Sequence, residues 1–346
     1  LDVDKASKFL QYYGIDGLGY NSEFYGGGAY VKGVRTFHAA LVKKMKPVNP
    51  VFENFWYDGT NDFGNVTFDQ GLGNHNKETF GDKDNVRTSL FFNYNWNRGQ
   101  IPSSVAYAEQ LGRDPLDIYC GVNMQGGQPG GTSWSLLPDQ RVSIGLWGAH
   151  SYNMFWESRA ELGSSDEMKQ FAYLRRTECY FGGGNRNPVI TPSVVDKHQY
   201  TAYNPTWHGM AAFMTARSPL SWDLAEEPFI TYFNLGNGKF FNLNGERKTS
   251  TPWYNVGMQD YLPTWHFWFA NKLLGRTAAD VPAEGLDAQF VWDDAYFGGS
   301  TLKIFGTTAN EYLHLFKTKY ALKKGDVITV RYKLNEGATD LDLVLS

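Results

Sequence analysis

Two residues apart, a carboxamide and a carboxylate close the segment Tyr20-Asn21-Ser22-Glu23. The run Asp16 to Phe24 reads as a buried strand that ends in these polar groups. Side chains two apart on a strand point to the same side. Asn21 and Glu23 should therefore project together, with Ser22 turned into the wall. A carboxylic acid can protonate a leaving oxygen and then, as carboxylate, take a proton from water. A carboxamide can do neither, but it can orient a polar group beside it. Most sugar-cleaving sites use two carboxylates. One carboxylate beside one carboxamide suits the exception in which a 2-acetamido sugar supplies its own nucleophile. Glu23 is then the acid and later the base, Asn21 holds the acetamide N–H, and Tyr57 donates to the acetamide or sits against it. Tyr20, Phe24 and Trp56 would give Glu23 the apolar surroundings that a general acid uses.

The other strand ends are polar and aromatic in the same way. Trp56-Tyr57-Asp58 closes a second strand, Asn93-Tyr94-Asn95-Trp96 a third, Asn123 a fourth and His150 a fifth. Trp56, Asp58, Phe68, Phe92, Asn93, Trp96 and Asn123 are the candidate substrate-binding residues. A cup of Asn, Glu, Tyr, Asp and Trp with few cations suits a neutral, polyhydroxylated ligand. Plainer readings stand beside these. An Asn-x-Glu at a strand end is common, and Trp56-Tyr57-Asp58 can be packing and a turn. His150, His208 and His266 read as structural histidines, Arg175-Arg176 as a solvated helix face, and Asp223, Glu226 and Glu227 as surface charge.

These groups need elements to position them. Asp2 to Tyr13 has Ala6, Phe9, Leu10 and Tyr13 at the spacing of one helical face, and Gly14 ends the helix. Strands are expected at Asp16 to Phe24, Val51 to Tyr57, Ser89 to Trp96, Asp117 to Val122 and Val142 to Ala149. Helical stretches such as Pro102 to Leu111 and Gly/Asn-rich loops such as Asp58 to Asn76 lie between them. This alternation, with strand starts about 30 residues apart, predicts an α/β fold, a (β/α)₈ TIM barrel with parallel strands. Five units cannot close a barrel. Either three units precede Leu1, or a second chain supplies them, or the count is short. Helices are expected over Ser165 to Tyr180 and near Gln259 to Leu274. From about Pro282 the pattern turns to short alternating runs: Ala288 to Trp292, Thr301 to Phe305, Glu311 to Thr318 and Val327 to Leu334. Residues 1–280 are thus expected to be the later part of the barrel, and 281–346 the start of a β-sandwich.

Composition narrows the function. The 346 residues carry a formal net charge of -4 with no basic stripe, which argues against nucleic acid. No apolar run is long enough for a membrane span. There is no phosphate-binding glycine loop. The two cysteines, Cys120 and Cys179, form no metal cluster and read as buried thiols, with a single bridge as the alternative. The pattern calls for no metal and no cofactor. The 11 Trp, 21 Tyr and 24 Phe favour a protein that handles sugars.

Several phrases together resemble glycoside hydrolase family 85, the endo-β-N-acetylglucosaminidases of N-glycan cores. Tyr13-Gly14-Ile15-Asp16-Gly17 leading to Asn21-Ser22-Glu23 resembles the strand that carries the family's Asn-x-Glu pair. Phe55-Trp56-Tyr57-Asp58, Ser89 to Trp96, Asp117 to Asn123, Pro228 to Gly238, Trp253-Tyr254-Asn255 and Ala295 to Leu302 follow in the family's order. The resemblance implies that Asn21 orients the acetamide and stabilises an oxazoline, that Glu23 is the general acid/base, and that Tyr57 is their partner. It implies an N-glycan or glycoprotein substrate, and an Asn-x-Glu pair midway round the barrel. Phe68-Asp69-Gln70-Gly71-Leu72-Gly73-Asn74 stands where the family often has an aromatic-led Trp-Gln-Asn-Glu-Leu-Asn phrase. That region is expected to shape acceptor and product handling. A non-catalytic glycan-binding protein on a degenerate barrel is the alternative.

Overall fold

The computed structural model describes residues 2–97, 99–123, 137, 140–148, 165, 228–260, 268–269, 286–306, 313–315 and 322–343. Helix α1 (Val3–Tyr13) begins where the Asp2 carboxylate accepts the Lys5 N–H, 3.0 Å away. Its buried stripe runs through Val3, Ala6, Ser7 and Leu10. Phe9 and Tyr13, expected on that stripe, are exposed instead and pack against each other at 4.8 Å. Ser7 rather than Phe9 completes the inward face.

Strands β1 (Gly17–Tyr20), β2 (Glu53–Tyr57), β3 (Ser89–Phe91), β4 (Ile118–Asn123) and β5 (Ser143–Trp147) form one parallel sheet in chain order. Helices α2 (Gly27–Met45), α3 (Lys77–Phe80) and α4 (Gln100–Gln110) lie in the first three connections. Buried Val31, Val34, His38, Leu41, Val42 and Met45 lie three or four apart on α2, so one face of the helix meets the sheet. Each fully buried aliphatic side chain there contributes roughly 1.5–3 kcal/mol. Lys43 and Lys44 in the last turn complement the helix dipole.

The two faces of the sheet divide by parity. Trp56, Leu90, Phe92, Ile118, Cys120 and Val122 point to the helices and form the main core. Phe55, Tyr57, Phe91, Tyr119, Gly121, Gly145 and Trp147 occupy the alternate positions and share the opposite face. The Phe55 and Tyr119 rings meet there at 4.6 Å, above a Glu53 carboxylate that accepts the Ser89 hydroxyl. Gly145 leaves room for the Phe91 ring, since a Cβ at that position would sit 2.1 Å from its edge. Cys120 is a free, buried thiol, and Cys179 lies outside the described residues.

A β-rich unit is built from antiparallel pairs. β6 (Asn237–Gly238) pairs with β9 (Trp253–Tyr254), and β7 (Phe241–Leu243) with β8 (Glu246–Thr249) across Asn244-Gly245. Both turn residues have positive φ, as a two-residue hairpin requires. β11 (Asp287–Val291) pairs with β12 (Thr301–Phe305), as the alternation predicted. The Leu235 N–H donates to Ser300 Oγ at 2.8 Å, and the Trp292 indole donates to Asn237 at 2.7 Å. The unit therefore takes in chain from before residue 281. Trp268–Phe269 is strand β10, paired with β13 (Leu313–His314), where a helix was expected. Residues 327–334 keep the strand alternation but pair with no strand among the described residues. Arg331 lies over the Tyr296 ring at 4.0 Å, and Lys333 pairs with Asp294. The predicted helix over 165–180, and His150, Arg175, Arg176, His208, Asp223, Glu226, Glu227 and His266, fall outside what is described, Ser165 aside.

Candidate active site

β1 leaves its ladder after Tyr20, and the next three residues alternate strictly. Asn21 and Glu23 are exposed, whereas Ser22 is buried and its hydroxyl donates to the Tyr57 carbonyl. The Glu23 N–H donates to the Asn21 carbonyl at 3.0 Å. The carboxamide and the carboxylate are thus both open to solvent while Ser22 is turned inward, as expected for Ser22.

Tyr57 ends β2 on the face that carries Phe55. Its hydroxyl accepts from Asn93 Nδ2 at 2.7 Å. Burial pushes the Tyr57 phenol above its usual range, and the Glu23 and Asp58 charges add to this. Burial likewise raises Tyr94, with Tyr57 and then Glu23 contributing. Both phenols therefore lie within electrostatic reach of Glu23. The Tyr57 ring stacks on Trp147 at 6.0 Å with 16° between planes. Phe68 approaches the same ring at 6.0 Å, and Tyr94 at 6.2 Å. Asn123 lies in register with Trp147 at the ends of β4 and β5. Asn21, Glu23, Tyr57, Phe68, Asn93 and Asn123 thus gather at one end of the sheet.

Four expected contact residues do not face this opening. Trp56, Phe92 and Trp96 lie in the core on the helix side. The Trp56 indole donates to the Thr60 carbonyl at 2.9 Å, and that of Trp96 to the Gly121 carbonyl at 2.8 Å. The cause is parity: Trp56 is one residue from Tyr57 and Phe92 one from Asn93, so they cannot share a face. Asp58 is 4% exposed, and its carboxylate accepts the Gln70 N–H. Burial pushes it up to about 7, against the backbone N–H groups of Gln70, Asn93 and Asp69. It anchors a loop in which Phe68 and Gln70 have positive φ. Tyr20, Phe24 and Trp56 do not enclose Glu23 either. They pack around one another, and Tyr20 and Trp56 also pack on His38. His38 is buried with neither ring nitrogen hydrogen-bonded, and burial holds it at about 4.

Tyr94 and Trp147 belong to the cluster but were not singled out. Trp147 was legible by parity, two residues beyond Gly145 on the inner face. Tyr94 lies past the end of β3, where parity no longer applies. Among the described residues, no three His, Cys, Asp or Glu side chains are grouped to hold a metal. No helix among them is long and apolar enough to cross a membrane.

Comparison with known proteins gives a consistent result. Residues 3–241 match Glycosyl hydrolase family 85. Cytosolic endo-beta-N-acetylglucosaminidase 1 of Arabidopsis thaliana is 22% identical, over 99% of this chain and 44% of the relative. The cytosolic endo-beta-N-acetylglucosaminidase of Homo sapiens is 23% identical, over 99% of this chain and 40% of the relative. The chain spans less than half the length of these curated relatives. The crystal structure of the glycoside hydrolase domain of Endo-D from Streptococcus pneumoniae R6 aligns with a TM-score of 0.65 and 24% identity. It covers 93% of this chain and 48% of that one. The shared fold is the TIM barrel, of which the five parallel strands are the part described here. With the match covering well over half its length, this chain belongs to glycosyl hydrolase family 85.

Proposed function

We propose that this chain carries the reacting groups of an endo-β-N-acetylglucosaminidase. The enzyme would cut the GlcNAc-β-1,4-GlcNAc bond of N-linked glycans, with retention through an oxazoline. The observation that carries this reading is the exposed Asn21–Glu23 pair, with Glu23 in electrostatic reach of the Tyr57 and Tyr94 phenols. The neighbouring strand-end carboxylate, Asp58, is buried and already bonded, so it is a poor second carboxylate. The names of the relatives point to the same activity.

The Glu23 carboxyl gives its proton to the glycosidic oxygen as the C1–O bond breaks. The acetamide oxygen of the same sugar forms the new bond to C1, leaving a protonated oxazoline. The Asn21 side-chain carbonyl accepts the acetamide N–H and steadies the charge on that ring. Water then adds to C1, loses a proton to the Glu23 carboxylate and reopens the ring. Two inversions at C1 give net retention. A phenol held above its usual range stays protonated at neutral pH. With Asn93 donating to its oxygen, Tyr57 keeps its own hydrogen for the acetamide. Phe68 and Trp147 offer aromatic surface to the apolar faces of sugar rings.

The remaining strands would pack against the edge of β1 that pairs with no strand among the described residues, and against the exposed Phe9, Tyr12 and Tyr13 of α1. A preceding segment or a second chain could supply them. The test uses the full-length enzyme and defined N-glycoproteins. Glycan ending in one reducing GlcNAc should be released, the second GlcNAc should stay on the protein, and a thiazoline mimic of the oxazoline should inhibit tightly. No release from either high-mannose or complex glycoproteins would overturn the reading.

A further inference from the structure

We propose that Thr60 is a positioning residue for Glu23, acting through the backbone on both sides of it. The proposal rests on Glu23 being the general acid/base. Thr60 is 2% exposed and lies beyond β2, far from β1 in sequence. Its N–H donates to the Ser22 carbonyl at 2.6 Å. Its hydroxyl accepts the Phe24 N–H at 3.0 Å and lies 2.9 Å from the Ser22 carbonyl and 2.8 Å from the Phe24 carbonyl. One hydroxyl thus takes the N–H that follows Glu23 and shares its proton between carbonyls on either side.

This segment has left the β1 ladder, so no strand pairing holds it. A buried N–H without a partner is costly, and Thr60 supplies the partner. Gly59 seats the contact: a Cβ there would lie 2.3 Å from the Ser22 oxygen and 3.1 Å from Glu23 Cγ. The Thr60 carbonyl is in turn held by the Trp56 indole at 2.9 Å. A chain of contacts therefore runs from a core tryptophan through Thr60 to the backbone at Glu23. The exposed carboxylate has a fixed base although its own side chain is open to solvent. Misplacing a reacting group by about 1 Å can cost roughly a hundredfold in rate.

The experiment compares Thr60→Val, Thr60→Cys and Thr60→Ser in the full-length enzyme, with Glu23→Gln alongside. Val keeps the shape without the hydroxyl, Cys keeps a weak donor, and Ser keeps the hydroxyl. On an N-glycoprotein, Thr60→Val should lower kcat by about thirtyfold with KM within about threefold, and Thr60→Ser should stay within about threefold of the parent. On an aryl glycoside with a nitrophenolate leaving group, which needs less proton donation, the Val defect should shrink several-fold. A purely structural role would lower the melting temperature without this dependence on the leaving group. If Val fails to fold, Cys and Ser decide: Cys well below Ser supports the clamp, and Cys equal to the parent overturns it. Parental kcat in Thr60→Val beside an inactive Glu23→Gln overturns the clamp alone. An active Glu23→Gln overturns the clamp and the role of Glu23 together.

Discussion

Residues 21–23 and 58–62 are both polar strand ends, and they behave in opposite ways. The first presents its side chains: Asn21 and Glu23 are exposed, and only Ser22 is turned inward. The second hides them: Asp58, Thr60, Asn61 and Asp62 are all buried. Asp58 holds Gln70, Thr60 holds Ser22 and Phe24, and Asn61 accepts the N–H groups of Phe63 and Asn65. Asp62 pairs with Arg35 at 3.0 Å and accepts the N–H groups of Glu78 and Thr79 at the start of α3. Polar residues at a barrel rim can therefore be left open to solvent or be built into the framework, and composition does not separate the two. What separates them is whether the hydrogen-bonding capacity is already spent inside the protein.

The comparison can be broken at several points. Glu23→Gln keeps size and polarity but removes the proton, so kcat should fall by about a thousandfold with the melting temperature unchanged. A parental rate in steady-state assays would place Glu23 among the framework residues. Asp62→Ala should do the reverse. Leaving Arg35 unpaired and α3 uncapped should cost about 3 kcal/mol in urea unfolding, while activity per folded molecule changes little.

The next test uses pH. Burial pushes Asp58 up to about 7 from 3.8, so its contribution to stability is present in acid and is lost as pH rises through about 7. His38 is held at about 4 from 6.5, so its contribution is present above 6.5 and is lost as pH falls through about 4. The two slopes oppose each other between these limits, and the parent should be the flattest. Asp58→Asn should unmask a loss of about 3 kcal/mol on acidification, and His38→Leu a gain of similar size. Equal slopes in all three proteins, followed by chemical denaturation at several pH values, would refute both assignments. The smallest effect belongs to Phe68. Removing its ring from beside Tyr57 should raise KM about threefold to tenfold, measured on a glycoprotein substrate.

The sequence by itself determined the repeating strand and helix order, the parallel sheet of the barrel and the inward turn of Ser22 between Asn21 and Glu23. These follow from local periodicity, and every strand of the sheet lies within a few residues of its expected place. Parity along β2 and β3 could also have moved Trp56 and Phe92 to the core. The remaining assignments needed the tertiary structure. Asp58 reads as a rim residue and Thr60 carries no signal until their partners at Gln70, Ser22 and Phe24 are seen, because those partners are contributed by other loops and strands. The α1 stripe rotated away from Phe9 because its neighbours, not its own pattern, choose the face that is buried. Residues 327–334 carry a strand pattern without a ladder among the described residues, because a strand needs a partner edge that its own sequence cannot supply. The exposure of Asn21 and Glu23 was legible because it follows from alternation alone. The hold on Glu23 was not, because it is made by Thr60, which the chain brings back only after a helix and a second strand.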